Sequence, residues 1–377
     1  MKPLAYLQYV GIALLALALA LFIHDRSAKI SYAVIGLSIV VVNAVIFVLF
    51  FKAYLWIDQL SFNLALILPS AIIMISKFAN EEEDRQYIQG AFSKYLSQDV
   101  INQIIENPDA LKLGGEVCTI TTFFSDIKGF SSISEQLDAE GLVHLLNEYL
   151  SAMTDTIMRN RGTIDKYEGD AIMAFWGAPL SFPDHPYQAC LSALEMQRIL
   201  VDMRATLKEQ GRHEIFVRMG INSGQAVAGN MGSRTRMNYT VMGDSVNLAS
   251  RLEGANKNYG TFTMASQHTY ESVKDKFRFR ELDTIRVVGK SEPITVYELM
   301  EVIGKVPEKK EDILVHYRQA LAMYKERRWK EAMAGFVRAL KIDMEDGPSK
   351  VYYLRCKTFL VNPPPAGWDG VTNLSSK

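Results

Sequence analysis

Cysteine is almost missing from this chain. There are three among 377 residues, Cys118, Cys190 and Cys356, odd in number and far apart. That excludes a disulfide framework and any cysteine-based metal spacing, and leaves three reduced thiols of the kind expected in a cytosolic compartment. An excess of either charge is lacking too. Lys and Arg number 41 against 42 Asp and Glu, a net charge of −1, so the chain carries neither the basic footprint of a nucleic-acid binder nor an acidic tail. Histidine is scarce, at six residues, and His144, His185 and His213 read as surface or helix positions rather than catalytic ones.

Long apolar runs are what the chain has in plenty, all at its start. Leu4 to Ile23, Ile30 to Phe51 and Tyr54 to Ile75 each have about the length needed to cross a bilayer as a helix. Polar breaks separate them at His24-Asp25-Arg26-Ser27-Ala28-Lys29 and around Lys52. A signal peptide is the alternative for the first run, but two further runs follow it and its charged flank is thin. Three transmembrane helices are therefore expected over residues 1–79. An odd number puts the chain ends on opposite sides, and Arg26 with Lys29 against Lys52 alone places the first loop and the C-terminal bulk inside. The expected location is the inner (plasma) membrane, multi-pass, with the remainder cytoplasmic.

Residues 80–112 read as a helical linker. Glu81-Glu82-Glu83-Asp84-Arg85 suits a helix start, where acids face the positive end of the dipole. Ile88, Phe92, Tyr95 and Leu96 fall at helical spacing, and Val100, Ile101, Ile104 and Ile105 resume it after Ser97-Gln98-Asp99. Asn107-Pro108 stops it. The segment is an amphipathic connector or a dimerising transducer, and its position favours the transducer.

Residues 113–302 alternate strand-like and helix-like segments. Val117 to Asp126 reads as a strand, and Asp138 as the N-cap of a helix whose face is Leu142, Leu146, Tyr149, Met153 and Ile157. Gly162 to Gly177 reads as a hairpin and Tyr187 to Leu207 as a helix. Ile215 to Ile221 alternates as a strand with Arg218 opposite its apolar face, and short strands follow near Thr263, Phe279, Val287 and Val296. This order fits an α+β fold with a ferredoxin-like βαββαβ core. Residues 303–346 change character. Tyr317, Ala320, Tyr324, Trp329, Ala332, Phe336 and Ala339 resemble one tetratricopeptide helix pair, which must pack on the preceding domain or on a second copy and offers a surface for a protein partner. Residues 347–377 read as an extended tail.

Two acidic tips and one helix carry the chemistry. Phe123-Phe124-Ser125-Asp126-Ile127-Lys128-Gly129-Phe130 ends an apolar run in an Asp before a glycine turn, and Asp165-Lys166-Tyr167-Glu168-Gly169-Asp170 puts a second Asp at a tight turn. Two strand-end carboxylates suit hard divalent cations, which take one or two carboxylates plus substrate phosphate oxygens. Asn247 and Arg251 share a helix face at i, i+4 in Gly243-Asp244-Ser245-Val246-Asn247-Leu248-Ala249-Ser250-Arg251 and can aim donors at one oxyanion. Asp244 reads as that helix's N-cap.

Over roughly residues 113 to 300 these motifs resemble the catalytic domain of class III nucleotide cyclases, specifically the bacterial membrane-anchored adenylate cyclases. The resemblance implies the same α+β fold and two metal ions, Mg²⁺ or Mn²⁺, held by Asp126 and Asp170, with the Ile127 carbonyl a further ligand. The amides of Ile127 to Ser131, among them Gly129 and Phe130, would cradle phosphate oxygens. Arg251 would neutralise charge on the α-phosphoryl group and Asn247 orient the ribose. Lys290 and Arg218 would contact the triphosphate. In the family, the residue four before the second metal Asp and the one three before the Gly-Asp pair read the purine. Here these are Lys166 and Thr240. Lysine donates and cannot accept, which suits adenine N1 and opposes the guanine N1–H, so ATP is the expected substrate. Each site in the family lies across a dimer interface, so a homodimer would build two equivalent sites. A guanylate cyclase, or a catalytically silent nucleotide-binding scaffold, is the alternative. A diguanylate cyclase would need a Gly-Gly-Asp/Glu-Glu-Phe signature, which is missing. The resembling bacterial enzymes carry an extracytoplasmic sensor ahead of three spans, and the expectation here is a chain without it.

Overall fold

A computed structural model describes residues 2–24, 26, 28–54, 57–92, 115–232, 237–286, 292–365 and 367–373. The chain divides into two units, Met1–Ala91 and Phe92–Lys377. The first is built of three helices, α1 (Lys2–His24), α2 (Ala28–Ala53) and α3 (Gln59–Phe92). Two stretches are long and apolar enough to cross a membrane by length and composition, Ile30–Ala53 with 24 residues and Gln59–Asn80 with 22. The described apolar part of α1, Tyr9–Ile23, is shorter. A polar cluster joins α2 to α3: the Asn43 amide donates to Asn63 Oδ1 at 2.9 Å, and Gln59 donates to Asn43 Oδ1. The acidic run at Glu81 starts no new helix. It lies inside α3, which continues through Phe92, because Glu, Arg and Gln are good helix formers at any interior position. The rest of the expected transducer, from residue 93 to 112, lies outside the described residues.

The second unit is organised around β1 (Glu116–Ile127), a strand paired antiparallel on both sides. After it come α4 (Phe130–Ser134), α5 (Ala139–Arg159), β2 (Thr163–Glu168), β3 (Ala171–Trp176), α6 (His185–Glu209), β4 (Val217–Gly232), β5 (Met237–Met242), α7 (Asp244–Tyr259), β6 (Thr263–Ser266), α8 (Gln267–Val273), β7 (Phe277–Arg286) and β8 (Ile294–Val302). The sheet order is β2-β3-β1-β4-β6-β8-β7, with β5 on β4. Its first four members, crossed by α5 and α6, form the βαββαβ core. Asp138 caps α5 by accepting from the Gly141 amide at 2.9 Å. The Val287 position lies outside the described residues.

Strand periodicity sorts the core into two faces. Ile172, Ala174 and Trp176 of β3 join the cluster built with α5 and α6, while Met173 and Phe175 join one with Ala226, Val241 and Val246. Ile215, Val217, Met219 and Ile221 are completely buried on the first face. Across the sheet, α7 presses on β4 at Gly220, where a Cβ would stand 2.2 Å from the Ala249 carbonyl and 2.3 Å from the Glu253 amide. Both are backbone atoms that cannot swing aside. Gly220→Ala is expected to cost about 1–3 kcal/mol as an overpacking change and to lower activity, since it pushes back the helix bearing Asn247 and Arg251. A melting temperature within one degree of the parent would refute this close approach.

The C-terminal segment packs on this unit. Helices α9 (Glu308–Lys325) and α10 (Trp329–Ile342) form the expected pair, and the seven predicted interior residues are buried. The expected tail is a third helix instead, α11 (Gly347–Val361). The run Asn362-Pro363-Pro364-Pro365 suggests an extended chain, but it begins only where this helix ends; Pro348 falls in the first turn, where its missing N–H costs nothing, and Asp346 caps the helix by accepting from the Ser349 amide. A short strand β9 (Thr372–Asn373) then pairs parallel to β7 and covers part of its edge. Arg280, nearly buried, ion-pairs with Glu298 and with Asp346 at 2.7 Å, and so ties the sheet to the entry of α11.

Candidate active site

Turn chemistry puts two acids side by side. Asp126 stands at the end of β1, opposite Arg218 of β4. Asp170 follows Gly169, whose φ of 69° makes the β2–β3 turn possible. The Ile127 amide donates to Asp170 Oδ2 at 2.9 Å, which pins the second carboxyl against the end of the first strand. Burial, then a hydrogen bond shared with the Asp126 carboxyl, pushes the Asp170 pKa up to about 7, against the opposing pull of the Ile127 amide. Two carboxyls in contact and partly shielded from water can relieve their repulsion by holding a proton or a cation between them.

Arg218 is the positive partner already in place. Its Nη2 lies 3.8 Å from Asp126 Oδ2 and its Nε lies 3.1 Å from Glu253 Oε1. Burial dominates at Glu253 and raises its pKa to about 7. Sequence reasoning missed Glu253, because an acid two positions after Arg251 on a helix gives no signal of where α7 crosses β4. In this structure Arg218 is engaged by two carboxylates of its own chain, so its first visible role is to position Asp126.

The amide cradle is narrower than expected. Ile127 N–H is taken by Asp170, and Lys128 N–H donates to the Phe216 carbonyl at 2.7 Å. Gly129, with φ 73°, and Phe130 and Ser131 remain as the open first turn of α4.

The two expected base-reading residues come together from separate strands. Thr240, on β5, is 5% exposed, and its hydroxyl donates to Asp165 Oδ2 at 2.6 Å. Lys166 on β2 places its Nζ 3.4 Å from Asp165 Oδ1. The pairing register of β2 shifts between Ile164 and Lys166, so Asp165 turns inward while Lys166 stays half-exposed. Asp165, the link between the two, was also missed, although an acid directly before Lys166 in a strand is a visible oddity.

Asn247 is exposed and Arg251 half-buried on α7, one turn apart. Neither side chain has a hydrogen-bond or ion-pair partner among the described residues, which leaves Arg251 able to meet an anion. Asp244 is not the N-cap expected of it. Gly243 is, with φ 146°, and Asp244 begins the helix, where its charge faces the dipole. Lys290 lies outside the described residues. His185 is a helix residue, as expected, and is buried at the head of α6. Its Nδ1 is 2.8 Å from Thr121 Oγ1, and burial lowers its pKa. It also borders a separate cleft of about 980 Å³, shared with Ser223, His268 and Glu271, that contains none of the residues above.

Residues 115–301 match the family described as the adenylate and guanylate cyclase catalytic domain. The chain belongs to the class III nucleotide cyclases. This cyclase is 35% identical over 218 residues to adenylate cyclase 1 of Rhizobium meliloti (strain 1021), a match covering 57% of this chain and 32% of that protein. It is 36% identical over 188 residues to the adenylate cyclase of Anabaena cylindrica, covering 48% and 36% respectively. The cyclase chain therefore spans about a third of the length of these curated relatives. Among solved structures, the adenylyl cyclase CyaB from P. aeruginosa is 36% identical, with 52% of this chain and 100% of that one covered and a TM-score of 0.48. The guanylyl cyclase Cya2 is 33% identical, with 51% and 97% covered and a TM-score of 0.47.

Proposed function

We propose that the protein is an adenylate cyclase that converts ATP to 3′,5′-cyclic AMP and pyrophosphate at sites shared across a homodimer. The observation that carries the base assignment is the meeting of Lys166 and Thr240 on one carboxylate, Asp165. An ammonium offers donors only, which suits adenine N1, and a hydroxyl whose proton is already given away accepts from the adenine amino group. Both preferences oppose guanine.

The donor set at the other half fits hard divalent cations. Asp126 and Asp170 are held in contact at a cost that a cation removes, and the Ile127 carbonyl lies between them in sequence. Two Mg²⁺ or Mn²⁺ ions held there would make the ribose 3′-hydroxyl nucleophilic and neutralise charge at the α-phosphate. Arg218 keeps Asp126 in place through its ion pair and is itself braced by Glu253. Amides of Gly129 and Phe130 receive phosphate oxygens, joined by Lys290. Arg251 meets the charge that grows on the α-phosphoryl oxygens as the new bond forms, and Asn247 holds the ribose in line for it. Within one chain, Asp126, Asp170 and Arg218 serve one site, while Lys166, Thr240, Asn247, Arg251 and Lys290 serve the other.

The apolar lengths of α2 and α3 support anchoring in the inner membrane, with the catalytic unit on the cytoplasmic side where ATP is found. The test is turnover by the full-length protein in lipid with Mn²⁺ and either ATP or GTP, products separated by chromatography. Cyclic AMP from ATP, absent in Asp170→Ala, is the expected result. Cyclic GMP as the main product would make it a guanylate cyclase, and ATP binding without product would make it a silent scaffold. Lys166→Glu combined with Thr240→Cys is expected to cut kcat/KM for ATP by about tenfold or more, the loss of one or two base contacts. An unchanged ATP to GTP ratio would remove these positions from base reading.

A further inference from the structure

We propose that Asp165 sets the base selectivity of this site by fixing Thr240 as an acceptor, and that it separately keeps Lys166 at the site. The inference rests on the adenylate cyclase reading above and adds a positioning residue to it.

Asp165 is 5% exposed, and its side chain is wholly shielded. Its Oδ2 receives two donors, the Thr240 hydroxyl at 2.6 Å and the Val241 amide at 3.2 Å. Its Oδ1 is buried and accepts no hydrogen bond among the described residues. Among the described residues, the cation that pairs with it is Lys166, with Nζ 3.4 Å from Oδ1. A buried carboxylate with an unsatisfied oxygen is costly unless a cation stays beside it, so Lys166 is held at the site rather than free to sweep solvent.

The consequence for Thr240 follows from proton counting. A hydroxyl owns one proton, and a carboxylate has none to return, so the Thr240 proton is committed to Asp165. Toward a ligand, Thr240 can then only accept. Adenine presents an amino group there and satisfies it. Guanine presents a carbonyl, and two acceptors face each other. A freely rotating hydroxyl would lose this discrimination by turning its proton to the carbonyl. Lys166→Glu would also replace the cation beside Asp165 with a second carboxylate.

Inosine triphosphate is the probe, because it carries the N1–H and carbonyl of guanine without the extra amino group. The full-length protein is assayed for kcat/KM with ATP and with inosine triphosphate, and the same pair is used to displace a bound fluorescent nucleotide. Asp165→Ala is expected to lower the ATP preference by about tenfold or more, the worth of one unsatisfied buried acceptor. Asp165→Asn separates the two roles. The fixed Val241 N–H keeps the amide oxygen on Thr240, so the preference stays within about threefold of the parent, while the NH₂ faces Lys166 and raises KM for ATP and inosine triphosphate alike. In a Thr240→Val background, Asp165→Ala is expected to change the preference no further.

An unchanged preference in Asp165→Ala, or the same fall in Asp165→Asn, overturns the inference. So does a full additional fall in the Thr240→Val background. A parent protein that prefers inosine or guanosine triphosphate in both assays overturns the adenine reading itself, which distinguishes the two failures.

Discussion

Asp170→Ala lowers turnover by about a thousandfold or more, on the order of 4 kcal/mol of lost transition-state stabilisation. The magnitude follows from what the carboxyl touches. Asp170 is held by the Ile127 amide and shares a hydrogen bond with Asp126, so its removal takes away half of the anionic pair and loosens the other half. Asp170→Asn keeps an acceptor for the Ile127 amide but not the charge, and is expected to fail equally. Substantial activity in either variant, with an unchanged melting curve, would eliminate the paired-carboxylate assignment. The same logic makes Asp126→Ala and Arg251→Ala complementary. Each disables a different half, so mixed dimers retain one whole site, and random mixing restores about a quarter of parental activity. Confirmed subunit exchange without recovery would rule out sites shared between subunits.

Asp283→Ala unfolds the attachment of the C-terminal helices. Asp283 Oδ2 accepts from Tyr259 at 2.8 Å, from Arg355 at 2.6 Å and from Thr372 at 2.8 Å. These donors come from α7, α11 and β9, so one carboxylate joins the helix carrying Asn247 and Arg251 to the C-terminal segment. Nearby, Tyr352 of α11 donates to the Leu282 carbonyl at 2.6 Å. Removing Asp283 leaves the Arg355 guanidinium shielded and unpaired, a loss of about 3–5 kcal/mol, or roughly 10 °C in melting temperature for a domain of this size. Adding Arg355→Met is expected to recover part of that loss by removing the stranded charge. A shift below two degrees in Asp283→Ala, or a double variant worse than the sum of the singles, would show that this cluster does not hold the segment.

Much of the catalytic domain was legible because its signals are local. The β2–β3 hairpin, the Asp138 cap and the buried face of Ile215, Val217, Met219 and Ile221 follow from turn residues and a period of two. The helix pair after residue 303 was legible from its spacing, and its packing partner was not. The third helix was not legible because Asn362-Pro363-Pro364-Pro365 marks an extended end and nothing before it separates residues 347–361 from that tail, although the run only follows the helix. Glu253 and Asp165 were missed for a different reason. Each acts across elements, Glu253 from α7 to Arg218 on β4 and Asp165 from β2 to Thr240 on β5, and no spacing along the chain encodes such a meeting.

By itself the sequence determined the chemical inventory of this cyclase: two acids at strand ends, an Asn and an Arg one turn apart, and a lysine four residues before the second acid. Those are properties of side-chain type and short-range spacing, which the backbone periods convert directly into shared faces and turns. Only the tertiary structure decided which charges face one another. Sheet register placed Arg218 beside Asp126, the crossing at Gly220 brought Glu253 to Arg218, and a slipped pairing in β2 turned Asp165 onto Thr240. Burial then raised Asp170 to about 7 and committed the Thr240 proton, because desolvation and hydrogen-bond direction depend on what surrounds a group in space.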